Sequence, residues 1–446
     1  MLSLNEPDYS PNAASVDAAY RRAGRRALRA AFLGFFVDMF DVYLPVVVLA
    51  PAMVYFEPDS LSPALKSTLF YVVFALSLVG RPAGAALFGH WGDKIGRRKV
   101  TIISMAGFAL VTLAIGLLPG YEQWGPASIG ALIFLRFVDG VFLGGEYTSA
   151  NPLAMEYAPK EKRGLWSACI HTGFPLALIA MSLLTIGLLR GIPSGSAHSA
   201  YVIWGWRIPF FVGALFAFGI FLYYLRCVPE SPVWSASKKV KAPLLELFRG
   251  ANRRTFAQVF LVMSGIWFML NAAISILPGV LLNVRHVNSL SVTCAQLVAN
   301  LVLALTHIPF GILGQKIGRR AFLALFGLTG WTAGPLAYYL LVRSGYRSTG
   351  ELIALVTIVI FCAMSTWPNV TAYLSERFST GVRASGYGVG YSAAIILPAF
   401  SSIYMLGLSH LGIPYEYTAV LILALGGLLT MIGALMGPET RDVDIA

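Results

Sequence analysis

Gly89-His90-Trp91-Gly92-Asp93-Lys94-Ile95-Gly96-Arg97-Arg98 is written a second time, 222 residues later, as Gly311-Ile312-Leu313-Gly314-Gln315-Lys316-Ile317-Gly318-Arg319-Arg320. Each copy follows one long apolar segment and precedes another. Half of the 446-residue chain is 223, so the sequence reads as two homologous halves. A second repeat agrees with the first. Glu156 precedes Arg163 by seven residues, and Glu376 precedes Arg383 by seven, at an offset of 220. Duplicated membrane halves are how many carriers build a substrate site near the bilayer midplane. The repeat therefore points to transport before any single residue is interpreted.

Composition supplies the membrane. Hydrophobic residues make up 57% of the chain and charged residues 12%, against about 25% charged in a soluble domain. A spanning helix takes about 20 apolar residues. About twelve such segments can be read, near 30–53, 67–89, 100–118, 128–150, 164–189, 205–226, 256–282, 291–313, 321–342, 351–374, 385–408 and 416–436. The expected fold class is an all-α integral membrane protein of two six-helix halves. Its domains are a tail at 1–29, a first half at 30–227, a linker at 228–254, a second half at 255–437 and a tail at 438–446.

The net charge of +12 does not read as a nucleic-acid surface, because the charge is not clustered that way. Basic residues gather at Arg21, Arg22, Arg25, Arg26 and Arg29, at Lys94 to Lys99, at Lys160 to Arg163, along 238–254, at Lys316 to Arg320, and at Arg377 and Arg383. These are alternate loops, the pattern of a cytoplasmic face, which places both termini in the cytoplasm. The opposite loops carry Lys66, Arg190, Arg285, Arg343 and Arg347. Residues 1–20 are polar, read as irregular, and lack the apolar core of a cleavable signal. Cys169, Cys227, Cys294 and Cys362 have no metal or redox spacing, so no metal and no cofactor are expected. No nucleophile–base constellation can be placed, which argues against an enzyme.

Charge inside apolar segments is the next signal. A charged side chain at the bilayer centre costs about 2.5–3.5 kcal/mol on insertion scales, and normally faces a partner or a cavity. Asp38 and Asp41 lie one helical turn apart and share a face. Asp41 is roughly 18 Å in from Arg29 at the helical rise. Two acids so close in a low dielectric do not both ionise easily, which suits a proton carrier. Arg136 and Asp139 are also one turn apart and can pair with each other. Arg136, Gly140 and Gly144 recur every four residues, and such glycines form a smooth stripe for close helix approach.

These residues resemble the major facilitator superfamily, and within it most closely the metabolite:proton symporters, with sugar porters as relatives. The resemblance covers about residues 30–440. It rests on Asp38-Met39-Phe40-Asp41-Val42-Tyr43, on Arg81-Pro82-x-Gly84 running into Asp93 and Gly96-Arg97-Arg98, on Arg136, Gly140 and Gly144-Gly145-Glu146-Tyr147, and on Gly205-Trp206-Arg207-Ile208-Pro209-Phe210. Pro229-Glu230-Ser231-Pro232 and Pro438-Glu439-Thr440 look more like sugar porters. There are departures. Asp38 stands where the symporters usually have Glu, Asp139 where Gln is common, and Gln315 in place of the acid of the second loop, leaving that half a weaker latch.

The resemblance implies that Asp41 is the proton-coupling acid and Arg136 its switchable partner, with Asp38 and Asp139 beside them. The plainer alternative is a permanent Asp41–Arg136 pair that only fixes packing. It also implies that Asp93, Arg97, Glu156, Arg163, Arg319, Glu376 and Arg383 form breakable ion pairs of a cytoplasmic gate, since alternating access needs contacts present in one state alone. Otherwise they are a solvated basic face that sets topology.

Substrate candidates come from polar and aromatic residues within spans. Arg81 can clamp a carboxylate bidentately, although Gly80 and Pro82 also read as a helix distortion. His171, about 12 Å into the fifth helix, can bind an anion, shuttle protons or sit neutral on a carbonyl. His307 reads as structural. Asn271, Asn300, Trp367, Asn369 and Tyr391 can line a cavity or join helices. The expectation is proton-driven import of a small organic metabolite, a carboxylate, by a monomer in lipid of a bacterial inner membrane, with the proton as coupling ion. The alternatives are a sugar porter, an uncoupled facilitator, or a membrane sensor that no longer transports.

Overall fold

The computed structural model describes residues 11–58, 60–61, 63–193, 198–343 and 348–445. Residues 1–10 of the expected tail, Arg347 and Ala446 lie outside them. The described chain is helical, and among the described residues there is no strand. Twelve long helical segments follow one another: α1 (Pro11–Leu44), α2 (Pro63–Ile95), α3 (Arg97–Gly116), α4 (Pro126–Tyr157), α5 (Lys160–Gly191), α6 (Tyr201–Cys227), α7 (Gly250–Val284), α8 (Ser289–Ile317), α9 (Arg319–Arg343), α10 (Thr349–Arg377), α11 (Thr380–His410) and α12 (Tyr415–Met436). Among the described residues, the ten from α3 onward are long and apolar enough to cross a membrane. Several helices outrun the apolar segments read from sequence, because their charged ends stay helical.

The largest correction is at the start. Residues 11–20, read as irregular, are the first turns of α1, which runs unbroken to Leu44. A second correction concerns Pro82. The helix α2 is continuous through it, so no distortion takes Arg81 out of the helix. The linker carries two short helices, Pro232–Ala236 and Pro243–Glu246. The first is capped by Ser231, which accepts a hydrogen bond from Trp234 N at 3.1 Å. The Trp234 indole donates to Asp93 O at 3.0 Å, tying the linker to the first repeated loop.

The repeated loops have one physical cause. Each is a single glycine between two helices, Gly96 at φ 115° and Gly318 at φ 96°, a conformation glycine adopts without penalty. The next helix then begins with an arginine whose backbone N–H groups need acceptors. Glu230 accepts from Arg98 N at 3.1 Å. Glu439 accepts from Arg319 N at 2.8 Å and Arg320 N at 3.1 Å. Both Pro-Glu motifs thus cap helix N-termini, where a carboxylate also meets the favourable end of the dipole.

Glycines set the contact that positions the interior charges. Gly140 and Gly144 of α4 face the backbone oxygens of Ser77 and Arg81 on α2, while Gly80 and Gly84 face Phe137 and Val141. A Cβ at any of the four would overlap backbone. The stripe therefore packs α2 directly on α4, as its spacing predicts, and brings Arg81 and Arg136 into one core with α1.

Candidate functional site

Three helices of the first half converge on that core. Asp38 and Asp41 come from α1, Arg81 from α2, Arg136 and Asp139 from α4, and all five are buried. Arg81 forms a short ion pair with Asp38. Arg136 Nη1 lies 2.8 Å from Asp41 Oδ2 and 3.1 Å from Asp139 Oδ2. Both pairings open to Arg136 in the sequence are therefore present together. Thr112 of α3 also donates to Asp41 at 3.4 Å. Arg136 Nε and Nη2, Asp38 Oδ2 and Arg81 Nε have no hydrogen-bond partner among the described residues. The network is under-satisfied among the described residues, which is costly in a low dielectric.

Two narrow cavities border this core, between the halves. One is lined by Arg81, Tyr43, Trp267, Asn271 and Ser275, with Met39, Leu78 and Pro398 among the apolar walls. Asn271 opens a π-helical stretch, Asn271–Ile276, that interrupts α7 at the cavity; such bulges recur at functional sites. The other cavity is an aromatic box of Phe35, His171, Phe174, Trp267, Trp367 and Tyr391, with His307 and Met364. Trp267 and Trp367 meet edge to face at 4.9 Å, and Trp267 and Tyr391 at 5.2 Å. The Trp367 indole N–H and the Tyr391 hydroxyl have no hydrogen-bond partner among the described residues. A 3-10 turn at Trp367–Asn369 breaks α10 there. Interrupted helices with free polar groups are how carriers line a midplane site.

His171 bridges the halves instead of facing a carbonyl. Its Nε2 lies 2.9 Å from Thr371 Oγ1 on α10, and Thr371 lies 2.8 Å from the Tyr387 hydroxyl on α11. Asn151 of α4 donates to the same hydroxyl at 2.8 Å. Beyond it, Tyr147 and Ser392 share a very short hydrogen bond. His307 Nδ1 lies 2.7 Å from Leu303 O, and its other nitrogen, beside the aromatic box, has no partner among the described residues.

Two sequence candidates are corrected. Asn369 does not line either cavity. It donates to Phe310 O at 3.0 Å and accepts from Arg319 at 3.4 Å, joining α8, α9 and α10. Two residues beyond Trp367, it points to the opposite side of the chain. Asn300 donates to Gln296 O at 2.9 Å in its own helix and lines neither cavity.

At the end of the bundle that carries both described chain ends, the seven gate candidates form two matching clusters. Glu156 Oε1 lies 2.7 Å from Arg97 of its own half and 2.5 Å from Arg383 of the other. Glu376 Oε1 lies 3.2 Å from Arg319 of its own half and 3.9 Å from Arg163 of the other. Asp93 pairs with Arg97 at 3.3 Å. The chain after α12 straps both clusters. Arg163 donates to Val443 O at 2.6 Å and Arg383 to Ile445 O at 3.0 Å. Thr440 donates to Glu376 at 2.8 Å. These contacts hold that end closed in this conformation.

Sequence reasoning missed Trp267, Phe35, Thr371 and Tyr387 as site residues. Tyr387 stands one turn before Tyr391, a spacing that could have flagged a shared face. Trp267 sits in a uniformly apolar run and gives no such signal. Among the described residues, no group of His, Cys, Asp and Glu could hold a metal ion.

Comparison with known proteins agrees with this architecture. Residues 31–304 match the family model of the Major Facilitator Superfamily. The chain is 28% identical to the inner membrane metabolite transport protein YhjE of Escherichia coli (strain K12), covering 93% of this chain and 94% of that one. It is 28% identical to the shikimate transporter of the same organism, over 84% and 85% of the two chains. In structure it superposes on the proton:xylose symporter XylE with a TM-score of 0.74 at 19% identity, covering 95% of this chain and 97% of that one.

Proposed function

Because the chain belongs to the Major Facilitator Superfamily and is therefore a multi-pass membrane transporter, we propose that it imports a small organic carboxylate together with protons, by alternating access. The bacterial inner membrane is the proposed location, with both termini in the cytoplasm. The closed end described above is then the cytoplasmic gate, and the cavities between the halves are the substrate site.

One observation carries the reading. Arg136 is held between two buried carboxylates, Asp41 at 2.8 Å and Asp139 at 3.1 Å. A guanidinium shared by two acids makes a binding place for one proton. When Asp41 accepts it, the Arg136–Asp41 attraction is lost and Arg136 rests on Asp139 alone. The contacts that favour one state weaken, and the two-state equilibrium shifts. Arg81 gives the anion preference. A substrate carboxylate entering the Arg81–Asn271 cavity competes with Asp38 for the guanidinium, and a proton on Asp38 decides that competition for the substrate. The aromatic box of Trp267, Trp367 and Tyr391 holds the apolar body of the molecule, with the interior polar groups fixing its orientation.

A neutral sugar is the second reading, favoured by the fold shared with a xylose symporter. The two Pro-Glu motifs resemble sugar porters, but Glu230 and Glu439 cap helices and line neither cavity. The test is uptake into proteoliposomes of labelled mono-, di- and tricarboxylates, betaine and sugars, with and without an inward proton gradient. Accumulation of a carboxylate that a protonophore collapses supports the proposal. Equilibration indifferent to the gradient means a facilitator, and accumulation of a sugar alone overturns the carboxylate assignment.

A further inference from the structure

The interior of the first half contains a fourth acid that the mechanism above leaves unused. Glu146 of α4 is buried, and neither of its carboxyl oxygens has a hydrogen-bond partner among the described residues. It lies two turns beyond Asp139 on α4, on the same face. Its carboxyl is pressed against Gly34 of α1, where a Cβ would overlap Oε1. Gly34 is one turn from Asp38, so the glycine leaves Glu146 a seat beside that acid. The charged and titratable groups that act on Glu146 or feel its charge are Asp38 of α1, Arg81 of α2, its own neighbour Tyr147, Tyr224 of α6 and Tyr387 of α11. The Tyr224 hydroxyl also has no hydrogen-bond partner among the described residues.

The charge count of this core does not close without protons. Asp38, Asp41, Asp139 and Glu146 are four carboxyl groups, and Arg81 and Arg136 are two guanidinium groups, all buried. Two protons bring the core to neutrality. One belongs to the Asp41–Arg136–Asp139 cluster. The second cannot sit on the acid that has a guanidinium to itself, Asp38, without wasting that pair. An ionised carboxylate buried with no partner is the most costly species available here.

We propose that Glu146 holds that second proton in this conformation and is the donor that neutralises Asp38. The inference rests on the proton-coupled reading of the same site. In the transfer, the O–H bond of Glu146 breaks and an O–H bond forms on Asp38 Oδ2, the oxygen that Arg81 leaves without a partner. Arg81 is then free to take a substrate carboxylate. Until it is reprotonated, the new Glu146 carboxylate keeps the longer-range attraction of the Arg81 guanidinium. Glu146 regains its proton from the side to which the carrier next opens. It is a proton-binding residue that acts on substrate through Asp38 and Arg81.

The Glu146→Gln variant decides the matter, because the amide is isosteric with the protonated acid and cannot give up a proton. Wild-type protein, E146Q and E146D are reconstituted and assayed for gradient-driven uptake of whichever substrate the panel identifies. The proposal expects E146Q to lose on the order of tenfold or more of proton-driven uptake, with E146D recovering part of it. A structural role predicts that E146Q matches wild type, and that result overturns the proposal. Absence of gradient-driven uptake in wild type would instead overturn the proton-coupled reading itself. Infrared spectroscopy of the wild-type protein labelled with 13C-glutamate needs no variant. A protonated-carboxyl stretch at neutral pH that shifts with the label, and that substrate removes, is the expected result. If no glutamate carboxyl is protonated, or if the band is untouched by substrate that binds, the proposal fails.

Discussion

Asp93 and Gln315 occupy matching places in the two halves, and each accepts from the backbone of a helix in the opposite half. Asp93 accepts from Ala384 N at 3.0 Å and Ser385 N at 2.9 Å. Gln315 accepts from Gly164 N at 2.9 Å and from Arg319 at 2.7 Å, and donates to Lys160 O at 3.2 Å. One cap is a carboxylate with two amide donors, the other a neutral amide with one. The two contacts are therefore asymmetric, one charged and one neutral.

From this asymmetry, Asp93→Asn is expected to weaken the closed end more than Gln315→Ala. Hydrogen bonds to a charged acceptor contribute about 1.5–3 kcal/mol, so the closed state of D93N should lose roughly ten- to a hundredfold in population. Distances between spin labels on the two halves, measured at that end by pulsed electron resonance, will show it. Equal distance distributions in D93N and wild type would refute the cap.

Asp41→Asn should abolish proton-driven accumulation and leave substrate exchange running. The amide keeps the shape and still meets Thr112, but it does not titrate. Counterflow and gradient-driven uptake in the same proteoliposomes separate the two activities. Wild-type accumulation in D41N would remove Asp41 from the coupling.

Arg81→Lys should cost carboxylate binding about tenfold or more, because an ammonium is a point charge and not a planar fork. A sugar, if one binds, should be affected less. Calorimetric titration of the purified variant gives both affinities. An unchanged carboxylate affinity would place the anion elsewhere.

Gly96→Ala and Gly318→Ala should each destabilise the fold by roughly 1–2 kcal/mol from the left-handed backbone alone. The added methyl also meets the capping carboxylates of Glu230 and Glu439. Thermal unfolding in detergent is the readout, and wild-type midpoints would contradict it. An alanine at Gly130, which has open space around it, is the control.

Ending the chain after Arg441 should loosen the closed end, since Arg163 and Arg383 lose Val443 O and Ile445 O as acceptors. Backbone hydrogen exchange at residues 160–166 and 380–386 should rise. Exchange equal to wild type would mean the strap is dispensable.

The ion-pair clusters were partly legible in advance. The sevenfold spacing of Glu156 with Arg163 and of Glu376 with Arg383 marked both ends. It did not say which acid meets which arginine. Glu156 is held by Arg97 and Arg383, and Glu376 by Arg319 and Arg163. Each acid reaches the arginine of the other repeat, which spacing along one helix cannot reveal. Asn369 was misplaced for a related reason. It shares a turn with the cavity residue Trp367 but not a face.

The sequence by itself determined what is local or repeated. Apolar length gave the helices, the two loop copies gave the halves, glycine at Gly96 and Gly318 gave the reversals, and the Gly140–Gly144 stripe gave the close packing of α4. These follow from the fixed period of a helix and from backbone sterics, which act within a few residues. Only the tertiary structure decided which acid each buried arginine serves, that Arg136 is shared, that Glu146 has no hydrogen-bond partner among the described residues, and that His171 reaches Thr371 across the halves. Those pairings depend on the axial offset and rotation of helices far apart in sequence. Non-local packing fixes them, and it leaves no period in the chain.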